Sequence, residues 1–315
     1  MDELPFAEAP TGVADGRVPT VAVVITTRDE AKHIERCLQS VVAQTYRDFE
    51  IVVVDNGSRD ETKAIAVRYT HQVFDRGPER SAQRNFGMIE KSRSPYVMYL
   101  DADMILGPQC IARCVETIRK SGSVALHVPE VILGTAFFSA VRRFERGFYD
   151  GTVIDGARFF MRDAMVRVGG FDESMSGPED WDIDKKLKAL GAIALVDASG
   201  AVSGTGWVLG DFVQDRGVDW RRMPGAIFHD EAEFDLWRYL RKKTYYMGSF
   251  DAYVAKWGAR DRDVRRQLGF WYRFFGVFLE NGKWRRLIRH PVFAGGIYFL
   301  RGMVGLRYIL RRITR

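Results

Sequence analysis

Two pairs of carboxylates and one histidine carry the chemistry in this 315-residue sequence. Asp101 and Asp103 flank a single alanine directly after the apolar run YVMYL. In an extended segment alternate side chains share a face, so both acids can point into the crevice above a sheet. Carboxylates brought together there repel unless a cation lies between them. Hard oxygen ligands of this kind suit Mg2+ or Mn2+ bridging to a diphosphate. The bland alternative for an isolated Asp-x-Asp is a solvated turn. Glu179 and Asp180 follow Gly177-Pro178 and precede Trp181. Proline starts a helix well and acids are favoured in its first turn, so the pair could simply decorate a helix start. It could also set a general base at the mouth of a pocket, with Asp180 taking the proton of a hydroxyl nucleophile. His229 ends the run AIFH, where a neutral imidazole could complete a metal shell or touch a diphosphate, or serve only structure.

A second group of polar residues sits where phosphates or a base could be held. Asp55 closes FEIVVV and could accept hydrogen bonds from a base or ribose; it could equally form a turn through Asn56-Gly57. No G-x-G-x-x-G follows the first apolar run, which argues against a dinucleotide site. That run delivers Thr26, Arg28, Asp29 and Glu30. Arg28 could meet phosphate and Thr26 or Glu30 a base edge, while Asp29 could cap the next helix. Arg80 and Arg84 are four residues apart on a helical stretch and share a face, giving an anion clamp or a solvated basic stripe.

These residues need a scaffold, and the hydrophobic pattern supplies one. Thr20–Thr26, Phe49–Val54 and Tyr96–Leu100 read as buried strands, separated by helical periodicity over Asp29–Gln44, Glu61–Tyr69 and Glu79–Lys91. Strand, helix, strand in alternation means βαβ units and a mostly parallel sheet, with the polar residues at its carboxyl edge, where such sheets bind ligands. Short strands are expected at Val73–Phe74, Val124–Val128 and Ala192–Val196, and helices at Gly107–Lys120 and Glu179–Leu190; Ala136–Tyr149 is amphipathic and aromatic, and Gly156–Met161 leads into the turn Gly169-Gly170-Phe171-Asp172. Ser199–Gly225 is glycine-rich and without clear periodicity, and a loop of that length is more often functional than idle. The expectation is a lid over an acceptor, with Trp207 and Trp220, like Trp181, as sugar-stacking surfaces.

Composition sets the limits. With 46% hydrophobic and 28% charged residues the chain is ordinary globular protein, long enough for one large α/β domain and an appendage. Three cysteines give no disulfide framework, and Cys110 with Cys114 on one helix are too few for structural zinc. The net charge of +6 is unevenly spread: Arg238–Arg315 holds 19 Lys+Arg against 4 Asp+Glu, net +15, leaving −9 for the rest. The same stretch holds 17 of the 40 aromatic residues. Such a tail implies an anionic partner, a membrane surface before nucleic acid, since the body is acidic and no nucleic-acid motif is present. Phe270–Leu279 is too short to span a bilayer, and Pro291–Leu310 carries Arg301 and Arg307; both fit an interfacial segment. Arg285, Arg286, Arg289, Arg311, Arg312 and Arg315 would meet anionic headgroups. The alternative is a helical pair packed on the body. Residues 1–19 show no signal-peptide features and are expected to be a flexible leader. The division is therefore 1–19 leader, 20–232 catalytic domain and 233–315 membrane-associating helical region.

Taken in order, VAVVITTRDEAKHIERCLQSVVAQTYRDFEIVVVDNGSRDET, AQRNFGM, YVMYLDADM, VGGFDESMSGPEDWD and IFHDE resemble the family-2 glycosyltransferases over Val21 to Glu231. The resemblance implies a GT-A fold, a nucleotide-diphosphate sugar donor, a divalent metal (Mn2+ or Mg2+) and inversion at the anomeric carbon. It implies that Thr26, Arg28, Glu30, Asp55, Arg84 and Asp101 hold the nucleotide sugar. Asp103, with Asp101 and His229, would hold the metal. Asp180 would be the base, with Glu179 beside it. The segment Ser199–Gly225, inserted before His229, departs from the family pattern. A membrane seat on the cytoplasmic face suits an acceptor glycan carried on a polyprenyl lipid. The rival readings are a sugar-1-phosphate nucleotidyltransferase, which lacks support in the absence of a glycine-rich phosphate loop, and a non-catalytic membrane adaptor.

Overall fold

The computed structural model describes residues 17–200, 202, 206–231 and 234–313. Most of the expected leader therefore lies outside the described residues, as do the side chains of Arg311, Arg312 and Arg315. Among the described residues the strands are β1 (Val21–Thr27), β2 (Phe49–Asp55), β3 (Val73–Asp75), β4 (Tyr96–Asp101), β5 (Met104–Leu106), β6 (Ala125–His127), β7 (Glu130–Ile132), β8 (Ala157–Met161), β9 (Ile193–Leu195) and β10 (Ile227–His229). The helices of the body are α1 (Ile34–Val42), α2 (Thr62–Ala66), α3 (Arg80–Asn85), α4 (Cys110–Ser121), α5 (Phe137–Arg146), α6 (Arg162–Arg167), α7 (Glu179–Lys188) and α8 (Gly210–Asp215). Six more follow: α9 (Leu236–Tyr246), α10 (Phe250–Trp257), α11 (Arg262–Leu268), α12 (Val277–Leu279), α13 (Trp284–Arg289) and α14 (Pro291–Ile313).

The main sheet runs β3-β2-β1-β4-β8-β6-β9. Strands β3, β2, β1 and β4 are parallel, while β8 is antiparallel to both β4 and β6. Every residue of β1 and β2 is buried, as a parallel sheet covered on both faces requires. The two-residue period divides their side chains. Val21, Val23 and Ile25 pack with Ile34, Leu38 and Val41 of α1 and with Cys110, Cys114 and Ile118 of α4. Ala22, Val24, Val52 and Val54 pack with Met88, Met165, Ile183 and Leu187 on the other face. Cys110 and Cys114 are thus small buried hydrophobes. The expected helix over 79–91 is α3 followed by a π-helical turn, Phe86–Lys91.

A second sheet, β5-β10-β7, was not legible in the sequence because its strands are three residues each. Along β10, Ile227 joins the main core while Phe228 points to the opposite face. That opposite face is where the described part of Ser199–Gly225 packs. Trp207, Leu209, Val213 and Trp220 bury against Ile105, Val131, Leu133 and Phe228. The segment forms a small hydrophobic core there, not the lid expected from its glycine content.

The C-terminal helices are likewise packed on the body. Val277, Phe278, Ile297 and Leu300 bury against Val141 and Phe144 of α5 and against Phe148 and Ile154. Arg301, on the segment read as interfacial, pairs with Glu145 at 2.8 Å and donates to Tyr149 Oη at 2.9 Å. Asp182 on α7 accepts from Trp257 Nε1 at 2.7 Å and from Lys256 Nζ at 3.0 Å. No described helix is long and apolar enough to cross a membrane.

Candidate active site

The ends of β1 and β4 start the site. Thr26 and Asp101 are register partners, and Thr26 Oγ1 donates to Asp101 Oδ1 at 3.1 Å. Helix α3 lies across these strand ends because Gln83 Nε2 donates to the carbonyls of Thr27 (3.0 Å) and Val54 (2.6 Å). One turn of that helix brings in Arg84, only 1% exposed. Its Nη2 donates to Asp101 Oδ1 at 3.1 Å and its Nη1 to Asp180 Oδ1 at 3.3 Å, with Glu179 Oε1 at 3.7 Å. Its guanidinium lies over the Tyr99 ring at 3.9 Å, and Tyr99 Oη donates to Asp180 Oδ1 at 2.8 Å. Arg80 pairs with Glu179 at 2.9 Å. The two arginines therefore clamp the protein's own acids. Burial would raise the Asp101 carboxyl, but Arg84, Arg158 and Arg80 outweigh that and hold it well below the usual range. Burial, reinforced by the Asp180 charge, pushes Glu179 up.

Two glycines let these parts meet. A methyl on Gly156 would lie 2.8 Å from Asp180 Cβ. Gly177 has φ +113, and a methyl there would lie 2.7 Å from Tyr246 Cβ, so the loop before α7 fits against α9 only with glycine.

Asp103 faces a different partner. His229 Nε2 lies 3.1 Å from Asp103 Oδ2, and His229 Nδ1 lies 2.9 Å from Glu130 Oε1. Glu130 in turn accepts from Arg158 at 3.0 Å, with Arg146 at 3.5 Å. Burial alone would lower the His229 imidazole; Asp103 and Glu130 outweigh it and raise it to about 9. Burial opposes ionisation of Asp103, and His229 more than offsets that, so its carboxyl lies below the usual range. Asp103 Oδ1 is buried without a hydrogen-bond partner among the described residues. Among the described residues no three His, Cys, Asp or Glu side chains converge as a ready metal cage. Asp103 and His229 still fit part of a divalent-cation shell: an oxygen donor with a free lone pair beside an imidazole backed by a carboxylate.

Asp101, Asp103, Glu179, Asp180, Arg84, His229 and Glu30 all line one cleft of about 500 Å3. Arg28 lines a neighbouring cleft of about 310 Å3 with Asn56, Gln83 and Tyr245, and the two clefts share Arg80 and Tyr246. Glu30, in the main cleft, pairs with His33 at 2.6 Å. Asp55 is fully buried, and its two oxygens accept from Ser58 N (2.7 Å) and Ser58 Oγ (2.5 Å). The turn through Asn56-Gly57 is what it builds.

The three tryptophans lie elsewhere. Trp181 stacks on Phe250 at 5.9 Å and donates to the Ile154 carbonyl at 3.3 Å, tying α7 to α10. Trp207 and Trp220 are buried edge to face at 5.1 Å behind β10. Large rings after a motif or in a glycine-rich stretch were read as stacking surfaces, but their area is spent on core packing. The sequence reading also missed Tyr99, Glu130, Arg158 and the α9 wall of Tyr239, Lys242, Lys243 and Tyr246. Only the last carried a signal, a helical spacing of cations and tyrosines.

Known proteins resemble this arrangement. The sequence model described as Glycosyl transferase family 2 matches residues 22–171. Glycosyltransferase AglE of Haloferax volcanii is 37% identical over 114 residues, covering 33% of this chain and 37% of AglE. Chondroitin synthase of Escherichia coli is 26% identical over 202 residues, covering 56% of this chain and 27% of the synthase. The chain spans well under half the length of either relative. Among solved structures, the mannosyltransferase PcManGT from Pyrobaculum calidifontis, in complex with GDP-Man and Mn2+, superposes with TM-score 0.56 at 17% identity, over 93% of this chain and 85% of that one. S. aureus TarS 1-349 in complex with UDP-GlcNAc gives 0.50 at 14% identity, over 92% and 89%.

Proposed function

The chain belongs to glycosyl transferase family 2 through residues 22–171 and has the GT-A fold, and from that premise we propose that it transfers a sugar from a nucleotide-diphosphate donor to an acceptor hydroxyl with inversion. The observation that carries this reading is the single cleft shared by Asp101, Asp103, Asp180 and His229, with Arg84 touching both Asp101 and Asp180. The acceptor oxygen attacks the anomeric carbon from the face opposite the diphosphate. The carbon–oxygen bond to the diphosphate breaks, the hydroxyl proton passes to Asp180, and the nucleoside diphosphate leaves. Tyr99 Oη and Arg84 fix the position of the Asp180 carboxylate, and Glu179 braces Arg80 beside it.

Asp103 and His229, with Asp101 alongside, are the residues to hold Mn2+ or Mg2+. When bound, such a cation neutralises charge developing on the diphosphate. The nucleoside belongs at the β1 and β2 ends, between Thr26, Glu30, Arg28 and the turn that Asp55 builds, where the second cleft opens. Residues 233–315 form the membrane-associating part. Its support is an exposed apolar surface, with Trp271 76%, Ile288 69% and Val292 68% exposed, interspersed with Arg285 and Arg289. The acceptor in this reading is a lipid-linked glycan intermediate at the cytoplasmic face of a membrane, in cell-surface polysaccharide or glycolipid synthesis.

The test begins with thermal shifts against UDP-, GDP- and dTDP-sugars in Mn2+, since a true donor stabilises by mass action. With that donor, Asp180→Asn is expected to lower transfer by about 10²–10⁴-fold while the donor shift survives. Loss of the shift would instead put Asp180 in the nucleotide site.

A further inference from the structure

Helices α5 and α9 form one wall of the main cleft, and two of its lysines stand in the cleft without an ion pair among the described residues. From α5 come Ser139 and Arg142; from α9 come Tyr239, Lys242, Lys243 and Tyr246, which share a face at helical spacing. Neither lysine makes an ion pair among the described residues. Lys243 is half-buried, with its ammonium 5.5 Å from the Tyr239 ring centre. The nearby Glu145 is already engaged, by Arg301 at 2.8 Å and Tyr149 at 2.6 Å. Several other cleft acids have partners: Asp103 has His229, Glu231 has Arg142, and Asp230 has Arg36 at 3.4 Å, while Lys242 lies within electrostatic reach of Asp103. Burial, with Arg142 and Arg273 adding repulsion, lowers the Lys243 ammonium to about 7. A half-buried ammonium beside two guanidiniums, whose nearest acid is shared with Arg301, gains from an added anion.

An apolar path leads away from this wall. Phe234 lines the cleft and lies 5.7 Å from the Tyr239 ring. Phe138 contacts Phe234 at 5.2 Å and stacks on Phe299 at 5.7 Å. Phe299 and Phe137 are both about half exposed at the surface. The cations thus stand at the inner end of an aromatic track that reaches solvent beside the tail helices.

We propose that this wall is a phosphate subsite for an amphiphilic acceptor: Arg142, Lys242 and Lys243 hold the acceptor's phosphate, and its apolar chain leaves along Phe234, Phe138 and Phe299. The phosphate is a recognition handle, separate from the donor's diphosphate at Asp103 and His229. The assignment rests on the cleft being the transfer site and names the acceptor class that the site takes.

Calorimetric titration of the full chain with farnesyl phosphate, farnesol and inorganic phosphate tests it. Farnesyl phosphate is expected to bind at least about tenfold tighter than either of the others, because both halves of the site contribute. Lys242→Gln/Lys243→Gln is expected to weaken farnesyl phosphate at least about tenfold, roughly 1.4 kcal/mol, and to leave UDP and GDP binding in Mn2+ as in the wild type. Phe299→Ser is expected to weaken farnesyl phosphate and not inorganic phosphate. If the double variant folds poorly, Lys242→Gln alone, at an exposed position, answers the same question with a smaller loss. Equal affinity for farnesyl phosphate and farnesol overturns the proposal. So does a lysine variant that loses the nucleotides instead, which would assign these cations to the donor. Failure of the transfer reading is a separate result: no nucleotide sugar is consumed, whatever farnesyl phosphate does.

Discussion

Asp101 and Asp103 stand two residues apart on one edge of the sheet, and the protein treats them in opposite ways. Asp101 is held by Thr26 and by Arg84, a guanidinium that is fully buried and charged at any accessible pH. Asp103 is held on one oxygen by His229, and its other oxygen has no partner. The first arrangement is closed: the same arginine also grips Asp180, so strand β4, helix α3 and helix α7 are fastened at one point. The second is open, with one buried carboxylate oxygen left unpaired beside the cleft among the described residues. The site therefore has a fixed half, which keeps the acids in place, and a less tied half, where the proposed cation would sit.

The comparison breaks most sharply on its two basic residues. Arg84→Met should destabilise the protein by about 3–5 kcal/mol, because it leaves buried carboxylates unpaired. His229→Gln should cost less, about 1–3 kcal/mol, since its partners keep other contacts, but should abolish the Mn2+ dependence of any donor shift. Urea unfolding of both variants, with and without Mn2+, checks the pair; equal losses of stability would erase the distinction between the halves.

A smaller effect is expected at Gly156, where a methyl would press on Asp180 Cβ. Gly156→Ala should reduce transfer by about 10²-fold, as misplacement of a reacting group by about 1 Å does, with a loss of about 1–3 kcal/mol in unfolding stability from the overpacking. Smaller again is Tyr99→Phe, which removes one hydrogen bond to Asp180. A loss of about 0.5–1.5 kcal/mol in stability or in transition-state energy is expected from unfolding and initial-rate measurements.

The mildest test uses a third acid–cation cluster, away from the cleft. His127 Nε2 lies 2.7 Å from Asp184 Oδ2, with Asp155 at 3.8 Å. Burial would lower this imidazole, but Asp155 and Asp184 outweigh it and raise it above the ordinary 6.5. Its contribution to stability is thus complete below pH 6.5 and is lost as pH rises through the raised value. The stability difference between wild type and His127→Gln should shrink between pH 6 and pH 9. A difference that grows would reverse the assigned sign.

How much of this was readable beforehand follows from the range of each interaction. The apolar runs of β1, β2 and β4, and the polar residues that end them, are local features. A run of β-branched residues ending in Asp or Thr states both the strand and where its cleft edge lies. The gathering of Asp101, Asp103, Asp180 and His229 was expected from motif order. The order of β8 between β4 and β6, the three-residue strands of the second sheet and the role of Arg84 as a link were not, because pairing between separate segments of the chain leaves no local period.

Trp181, Trp207 and Trp220 mark the same boundary from the other side. An indole reads identically in sequence whether it faces a sugar or a phenylalanine; only the packing of α10 and of the 207–220 segment decided that these three are core. Likewise the charge of the tail was visible in composition, but its division was not. Arg301 neutralises Glu145 inside the body, while Lys242 and Lys243 face the cleft without ion pairs among the described residues. Sequence determined which residue types could do chemistry and which edge they sit on. The tertiary structure alone decided which charges cancel each other and which remain for a ligand, since cancellation depends on distances of a few ångströms between segments far apart in the chain.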